Sequence, residues 1–260
     1  MAINEPISNL KKKSHEHLHL IDGSGFIFRA YYALPPLTRS DGLPVGAVSG
    51  FCNMIYKLLK GSDDNDLPSH IAIVFDHKGK TFRSKIYPDY KMNRTSPPED
   101  LVPQFDLIRE ATRAFGLACI EVEGYEADDI IATYAEIATK RDWKVTIISS
   151  DKDLMQLVND RVIMWDTMKN KKIGSAEVEE KFGVDPNLVI DVQALAGDSV
   201  DNIPGATGIG VKTASQLINQ FGSLEKLLDK ADEIKQPKKR EVLLNEREKI
   251  MISKELVTLR

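Results

Sequence analysis

Several acidic residues of this sequence have the types and spacing of a metal-binding site. Three of them crowd into the stretch GYEADDIIA, which places Glu126, Asp128 and Asp129 at the start of a predicted helix. The helix dipole explains one acid at such a position. Three acids repel one another, because two carboxylates about 4 Å apart cost ~1 kcal/mol in water and ~4 kcal/mol at an effective dielectric of 20. The helix dipole alone therefore does not explain this stretch.

Further acids follow the predicted strands. The apolar runs HLHLID, HIAIVFD and WKVTIISSD are typical of buried strands, and they end at Asp22, Asp76 and Asp151, with Asp153 two residues later. One aspartate after a strand is usually a turn former. If the strands are parallel, however, these acids share one edge of the sheet, where open α/β sheets bind ligands. A helix that follows another strand begins at the same edge, which brings the acids of GYEADDIIA there too.

The ligand types indicate which ion binds. Carboxylate oxygens without histidine or cysteine favour a hard cation, Mg²⁺ or Mn²⁺. The five histidines lack the spacing of a ligand set, which disfavours zinc. So many carboxylates predict two or more ions, and two-metal sites serve phosphodiester displacement.

A glycine-rich run, LAGDSVDNIPGATGIGVKTASQLI, has the pattern of an anion-binding turn. Gly205, Gly208 and Gly210 precede a predicted helix, and Lys212 and Thr213 lie at its start. Backbone N–H groups at a helix N-terminus bind phosphate, and these two side chains can add contacts. The alternative for the glycine pattern alone is an ordinary helix–turn–helix connection. The same run adds two acids to the predicted site, Asp198 and Asp201.

Composition and charge bound the class of protein. The 260 residues, 42% hydrophobic and 28% charged, are typical of a globular protein with a sizeable core. Two cysteines without metal-ligand spacing favour a reducing cytoplasm. The sequence has no long uncharged apolar run and no apolar signal-peptide core, so neither a membrane span nor export is expected.

The order of elements predicts an α/β fold, with a mostly parallel central sheet flanked by helices. Residues 1–17 are expected to form a flexible tail, and residues 18–185 the α/β core. Strand signals stop near Pro186, so residues 186–260 are expected to form a helical region. The polar, basic segment 78–98 is too long for an ordinary loop, which favours a functional role.

Five motifs in order resemble those of the 5′-nuclease domain of bacterial DNA polymerase I, within the wider flap endonuclease family. They are IDGSGFIFRAYYALPPLTRSDGLPVGAVSGF, FDHKGKTFRSKIYPDYKMNR, GYEADDIIA, SSDKDLMQLV and GDSVDNIPGATGIGVKTA. The resemblance runs from about Leu18 to the end of the chain. It implies a structure-specific 5′-nuclease that hydrolyses DNA at 5′ flaps, nicks and 5′ ends during replication and repair, where it removes flaps or RNA primers.

The resemblance also implies the metal ligands for two or more Mg²⁺ ions, which are Asp22, Asp76, Glu126, Asp128, Asp129, Asp151, Asp153, Asp198 and Asp201. We expect Asp198 and Asp201 to complete a peripheral site, and the inner site to be held by Glu126, Asp128, Asp129 and Asp151. The 39 acidic residues include these nine, so the other 30 stand against 35 basic residues. A DNA-facing surface can therefore be basic although the net charge is −4.

In this family a helical arch covers the site, and segment 78–98 matches it. Lys91 is implied to contact the scissile phosphate, and Arg83 to help neutralise charge on it. The GATGIG run resembles the helix–hairpin–helix element that grips duplex DNA and often holds a K⁺ ion. The implied DNA-binding residues are Arg29, Tyr31, Tyr90, Arg94, Gly205, Gly208, Gly210, Lys212 and Thr213. Tyr31, Tyr32 or Tyr90 could stack on an unpaired base, and core packing is the alternative for each.

The implied partner is branched or nicked duplex DNA with a 5′ flap, bound by a monomer in the bacterial cytoplasm near the nucleoid. The run ALPPLTRSDGLPVGAV looks more like the form joined to a polymerase than like a stand-alone nuclease. Residues 1–17 have no counterpart among the family motifs.

Three other functions remain as alternatives. A DNA-binding module without catalysis leaves the gathered carboxylates unexplained. A phosphatase that uses SSDKDL needs an acid two residues after the aspartate of its first strand, but Gly23 and Ser24 follow Asp22. A ribonuclease of related architecture needs neither the GATGIG hairpin nor the arch. Cleavage of flapped DNA, flapped RNA and a small phosphate ester distinguishes these functions.

Overall fold

The structure is a computed structural model that describes residues 16–61 and 67–260. Its centre is a six-stranded sheet. The strands are β1 (His17–Asp22), β2 (His70–Val74), β3 (Ala118–Ile120), β4 (Lys144–Ile148), β5 (Val162–Asp166) and β6 (Lys171–Ile173). Buried side chains lie on both faces of the sheet, which is why the central strands read as continuous apolar runs.

The strand order is β3-β2-β1-β4-β5-β6. All neighbours are parallel except the β5–β6 pair, which is antiparallel. From β1 the chain first builds β2 and β3 on one side, and then returns to build β4 and β5 on the other. The order therefore reverses between β1 and β4, and in such sheets ligands bind at the carboxyl ends of the strands at that point.

Helices cover both faces of the sheet and build the carboxyl-terminal region. Those that accompany the strands are α1 (Gly23–Ala33), α2 (Gly46–Lys60), α3 (Arg83–Ile86), α4 (Gln104–Ala114) and α5 (Ala127–Lys140). They are followed by α6 (Ser175–Phe182), α7 (Val189–Ala196), α8 (Val211–Phe221), α9 (Leu224–Asp229), α10 (Pro237–Asn245) and α11 (Arg247–Val257). Helices α1, α2 and α4 contribute to the core on one face, and α5 to the core on the other.

The turn between α7 and α8 brings two glycines into close contact. Gly197 and Gly205 have φ angles of +67° and +57°. A Cβ atom on Gly205 would lie 2.4 Å from the backbone nitrogen of Gly197. Only glycine combines these angles with so close an approach, so this pair fixes the geometry of the hairpin.

The predicted α/β fold with a mostly parallel sheet is confirmed, together with the helical carboxyl-terminal region. Strands β2 and β4 end at Val74 and Ile148, so Asp76 and Asp151 lie in the loops just beyond them. The predicted tail was too long at its end, since β1 already begins at His17. Residues 1–15 of that prediction lie outside the described residues. In the described part of the chain, no helix has the length and apolar character needed to cross a membrane.

Segment 78–98 differs from the predicted helical arch. Its helix is the single short α3, and the rest is turns and irregular backbone. Prolines at positions 88, 97 and 98 oppose a longer helix. The segment contacts the residues between α7 and α8. There the Lys91 N–H donates to the Asp201 carbonyl at 2.9 Å, and the Asn202 side-chain amide donates to the Asp89 carbonyl at 2.6 Å.

Candidate active site

The crevice begins at Asp22, the last residue of β1. Its carboxylate caps α1 by accepting from the Gly25 N–H at 2.9 Å, and the Ser149 hydroxyl donates to it at 2.9 Å. Burial raises the pKa of Asp22 to about 6 against the effect of these hydrogen bonds, and the charges of Asp76 and Asp151 act in the same direction as burial. The surroundings of this carboxylate therefore supply too little positive charge to stabilise its ionised form.

Asp128, in the first turn of α5, faces the same crevice. Burial raises its pKa, and the charges of Asp151, Asp22 and Asp76 raise it further, whereas Lys91 lowers it. We name these four acids the crevice quartet: Asp22, Asp76, Asp128 and Asp151. In the described part of the chain, no lysine or arginine forms an ion pair with any of the four.

Asp153 extends the crevice toward the helical region. It begins a short 3₁₀ helix, and its carboxylate accepts from the Gln193 side-chain amide at 2.5 Å. Burial raises its pKa to about 6, and the charge of Asp151 contributes in the same direction.

Two other acids of the predicted site are held by cations of segment 78–98. The Lys91 ammonium lies 2.7 Å from Glu126 Oε2 and 3.7 Å from Asp201 Oδ2. Arg94 donates to Asp201 at 2.5 Å, and the Tyr90 hydroxyl donates to Glu126 at 3.1 Å. Lys91 thus bridges α5 and the hairpin region at the edge of the crevice.

Asp198 has a cation from another element. Its carboxylate pairs with Lys152, which stands between Asp151 and Asp153 in the sequence. This pair lowers the pKa of Asp198 despite partial burial. The two acids predicted for a peripheral metal site, Asp198 and Asp201, therefore both have ion-pair partners in this conformation.

The backbone around Lys91 has an uncommon conformation. Lys91 and Asn202, which face each other across the contact between segment 78–98 and the hairpin region, have φ angles of +57° and +55°. Non-glycine residues adopt this left-handed region at a cost, and such residues concentrate at functional sites. The contact therefore holds the Lys91 ammonium at the crevice at the cost of local strain.

The positions of Asp129 and Arg83 correct two predictions. Successive helix residues point about 100° apart, so Asp129 faces away from the crevice that Asp128 faces. Its fully buried carboxylate accepts from both terminal nitrogens of Arg83, at 2.7 and 2.8 Å. Arg83 itself is 1% exposed. This geometry does not support Asp129 as a metal ligand or Arg83 as a contact to the scissile phosphate.

The predicted hairpin presents backbone donors to solvent. Gly208 has a φ angle of +74°, and Gly210 precedes α8 without a side-chain cap. The first N–H groups of a helix have no acceptor within it. Among the described residues, no other group accepts a hydrogen bond from the backbone N–H of Val211 or of Lys212. Lys212 is exposed beside them, and Thr213 is half-buried. These N–H groups are the donors that an anion-binding turn requires, and the anion site itself stays a prediction.

The remaining predicted DNA contacts lie elsewhere. Arg29 donates to the Thr167 hydroxyl at 2.9 Å, and the Tyr31 hydroxyl donates to Asp100 at 2.8 Å. Tyr31 and the exposed Tyr32 line a cavity of about 500 Å³ between α1 and α2. Tyr90 is buried against Glu126, so it is not placed to stack on a base.

The donors of the crevice have the chemistry of a divalent-cation site. They are carboxylate oxygens, and burial together with the neighbouring carboxylates raises the pKa of Asp22 and of Asp128, which is the condition that a bound hard cation relieves. Within the described residues, no three His, Cys, Asp or Glu side chains are arranged to hold one ion in the present conformation. The chemistry of the donors fits Mg²⁺ or Mn²⁺, and ion binding requires local rearrangement of side chains.

Sequence reasoning missed the residues that support these acids. Ser149 donates to Asp22, Lys152 pairs with Asp198, and Gln193 donates to Asp153. Ser149 and Lys152 stand inside the predicted SSDKDL motif, so their position was a usable signal. Gln193 lies on α7 and carries no local signal.

Comparison with known proteins places the chain in a family. Residues 17–183 match the 5′-3′ exonuclease N-terminal resolvase-like domain, and residues 184–260 match the 5′-3′ exonuclease C-terminal SAM fold. The chain belongs to the 5′-3′ exonuclease family. The resemblance inferred from the five motifs is confirmed.

Two relatives define the relationship more closely. DNA polymerase I of Rhizobium leguminosarum is 59% identical over 254 residues, which are 96% of this chain and 25% of that protein. The 5′-3′ exonuclease of Aquifex aeolicus is 42% identical over 211 residues, which are 81% of this chain and 72% of that protein. The exonuclease chain thus spans about a quarter of the length of the polymerase I relative.

Solved structures agree with this family. A complex of the bacteriophage T5 flap endonuclease with DNA and metal ions has a TM-score of 0.76 and 25% identity, and covers 94% of this chain and 89% of that one. The T5 protein co-crystallised with metal ions gives the same TM-score and identity. The fold of this chain is therefore similar to that of a flap endonuclease, and metal ions are present in solved structures of that protein.

Proposed function

We propose that this exonuclease hydrolyses phosphodiester bonds of DNA at 5′ flaps, nicks and 5′ ends with the help of two or more Mg²⁺ or Mn²⁺ ions. The observation that carries the proposal is the crevice quartet at the carboxyl edge of the sheet. Four carboxylates that form no ion pair within residues 16–61 and 67–260 gather where a parallel sheet binds ligands. Such a cluster would repel DNA unless cations neutralise it.

The crevice quartet and Asp153 are the residues that would hold the ions. Glu126, Asp198 and Asp201 stand beside them, and each can join a metal site if its lysine or arginine partner moves to a phosphate. A divalent cation bound in such a site lowers the pKa of water and neutralises charge on phosphoryl oxygens. Asp129 is not included, because its carboxylate is saturated by Arg83.

Lys91 is the residue of this chain that we assign to the scissile phosphate. Its ammonium stands at the crevice edge between Glu126 and Asp201 and is partly exposed. A phosphate that enters the crevice can take over the interaction that Glu126 now provides. Positive charge held where negative charge develops is worth several kcal/mol in a reaction of this type.

The α8 N-terminus is assigned to the duplex. Backbone N–H groups, the helix dipole and Lys212 favour a backbone phosphate there without regard to sequence. Asp198 and Asp201 lie just before this hairpin, so a duplex held at α8 can present a nearby phosphodiester to the crevice. A K⁺ ion on the hairpin carbonyls remains part of this proposal.

A flap-processing role fits the arrangement in relatives. In the Rhizobium protein, the matching region is part of DNA polymerase I. We propose that this chain removes flaps or primers during replication and repair.

The test is cleavage of a duplex that carries a labelled 5′ flap. We expect cleavage near the flap junction with Mg²⁺ and none with EDTA. Flapped RNA and a small phosphate ester serve as competing substrates, and a 3′-flap duplex controls for polarity. Preferential cleavage of the RNA or the ester, or of the 3′ flap, would overturn the proposal, as would full activity in EDTA.

A further inference from the structure

The buried Arg83–Asp129 pair joins three segments that are distant in the sequence. Arg83 opens α3, and Asp129 lies in the first turn of α5. Arg83 Nε also donates to the Leu256 carbonyl at 2.7 Å, and Nη2 donates to the Thr258 carbonyl at 3.2 Å. Both carbonyls belong to the end of α11 and the residues after it, so one guanidinium fastens the carboxyl-terminal residues to segment 78–98 and to α5.

The Asp129 carboxylate completes this junction. Besides Arg83, it accepts from the backbone N–H of Glu126 at 3.1 Å and from that of Arg260 at 3.2 Å. The Phe82 ring lies against two guanidinium groups, 4.6 Å from Arg83 and 4.5 Å from Arg260. Four of the five N–H groups of Arg83 and both carboxylate oxygens of Asp129 therefore have hydrogen-bond partners, and such satisfaction is what allows a buried ion pair to be tolerated.

The junction is directly connected to groups assigned to the reaction. It fixes the backbone of Glu126, whose carboxylate holds Lys91 at 2.7 Å. Arg83 Nη1 is 3.6 Å from Glu126 Oε2. The Tyr90 ring, which precedes Lys91, lies 6.0 Å from the Arg83 guanidinium. A shift of Arg83 would therefore move both the acid and the segment that place the Lys91 ammonium.

We propose that Arg83 and Asp129, together with residues 256–260, form a positioning unit that sets where Lys91 stands at the crevice. Arg83 is then a positioning residue that does not touch the substrate. Residues 256–260 then contribute to the activity of the nuclease as well as to its packing. This inference rests on the assignment of Lys91 under the proposed function.

Arginine is required at this position because of its shape. The planar guanidinium donates to one carboxylate through both terminal nitrogens and to two carbonyls through Nε and a second Nη2 hydrogen, whereas a lysine ammonium is a single compact donor. Arg83→Lys keeps the charge that Asp129 needs and loses the link to the carboxyl-terminal carbonyls. This substitution therefore separates positioning from simple charge compensation.

The experiment measures two properties of Arg83→Lys. The first is the reactivity of Lys91 toward an acetylating reagent in DNA-free protein with EDTA, quantified by mass spectrometry. We expect it to rise several-fold, because the ammonium is no longer held against Glu126. The second is single-turnover cleavage of flap DNA, which we expect to slow about 10- to 100-fold, as when supporting residues of a metal site are lost. Duplex affinity in Ca²⁺ should remain within about twofold.

Leu243→Ala is the control for destabilisation alone. Leu243 is a buried core residue of α10 that has no part in the crevice, and its truncation should lower stability through a cavity. Lys91 reactivity and single-turnover rate should stay at wild-type values. If Arg83→Lys does not fold, Phe82→Leu loosens the junction more gently, and a smaller change in the same direction is expected.

Unchanged Lys91 reactivity in folded Arg83→Lys or Phe82→Leu would overturn the positioning unit, whatever happens to the rate. Raised reactivity with an unchanged cleavage rate would support the unit and contradict the role of Lys91 under the proposed function. Failure of the positioning unit and failure of the proposed role of Lys91 therefore give different results.

Discussion

Asp128 and Asp129 are neighbours in the sequence, but their surroundings are opposite. Asp128 faces three other carboxylates without an ion pair in the described residues, and its pKa is raised. Asp129 is fully buried, and Arg83 and two backbone N–H groups occupy its oxygens. Two neighbouring acids of one motif can therefore have different functions. Asp128 lacks an ion-pair partner and is open to a cation, whereas Asp129 holds together the segments that surround the crevice.

The same division separates the other acids of the site. Like Asp128, the other three acids of the crevice quartet form no ion pair in the described residues, whereas Glu126, Asp198 and Asp201 already have lysine or arginine partners. These three are intermediate, because their partners are partly exposed and a DNA phosphate can compete for them. The division does not follow the inner and peripheral metal sites that the sequence led us to expect.

The largest effect is expected for Asp22→Asn. Asparagine keeps the cap on α1 but removes a charge from the crevice quartet, so ion binding should weaken and single-turnover cleavage should fall by at least about 10³-fold, the upper end for one electrostatic group. Asp166→Asn is the matched control. Asp166 is also a buried aspartate at a strand end, but it belongs to β5 and not to the quartet, and its loss should change the rate far less. Equal losses of cleavage rate in the two variants would show that the crevice quartet does not differ from other buried aspartates.

Lys91→Ala should slow single-turnover cleavage by about 10²- to 10³-fold, since it removes one stabiliser of charge on the phosphate. Duplex affinity in Ca²⁺ should change little, because the α8 N-terminus remains intact. An unchanged rate at saturating enzyme would exclude Lys91 from the reaction.

Stability without metal should depend on pH with a defined sign. Asp22 and Asp153 have pKa values of about 6 instead of the ordinary 3.8. Between these values the folded state binds more protons than the unfolded state, so the free energy of unfolding in EDTA should fall as pH rises from about 4 to about 6, by roughly 2–3 kcal/mol. Saturating Mg²⁺ should remove most of this decline. A free energy of unfolding that rises across this window would contradict the raised pKa values.

Lys212→Ala should have the smallest effect. Loss of one phosphate contact should reduce the slope of log affinity against log salt by about one unit, without a change in the cleavage rate at saturating enzyme. Lys140→Ala is the control, because Lys140 ends α5 at the opposite edge of the sheet and pairs with Glu136. Identical salt slopes for the two variants would remove Lys212 from the interface.

Much of the fold could be predicted because its signals are local. The runs that end at Asp22, Asp76 and Asp151 are the central strands, and the glycine spacing predicted the hairpin before α8. Strands β3, β5 and β6 were not located in the sequence. The run VIMWD of β5 is apolar and was a usable signal, whereas β3 and β6 have three residues each and β6 begins with two lysines. Such short strands form because a neighbouring strand supplies hydrogen bonds, and no pattern in their own residues predicts them.

The partners of the acids were harder to predict. Arg83 lies 46 residues before Asp129, and no local pattern pairs them. A usable signal was nevertheless present. Adjacent residues of a helix do not face the same way, and an acid three residues after the residue that precedes a helix often folds back onto that residue's N–H. Asp129 does so onto Glu126, which leaves Asp128 as the acid that faces the crevice.

Urea unfolding of Asp128→Asn and Asp129→Asn at neutral pH in EDTA shows whether the two aspartates have different functions. Asp129→Asn leaves the buried Arg83 without its counter-charge, so we expect it to lose about 3 kcal/mol or more. Asp128→Asn relieves repulsion within the crevice quartet, so its stability should equal or exceed that of the wild type. If Asp128→Asn is destabilised as much as Asp129→Asn, the two aspartates do not have different functions and the account is wrong.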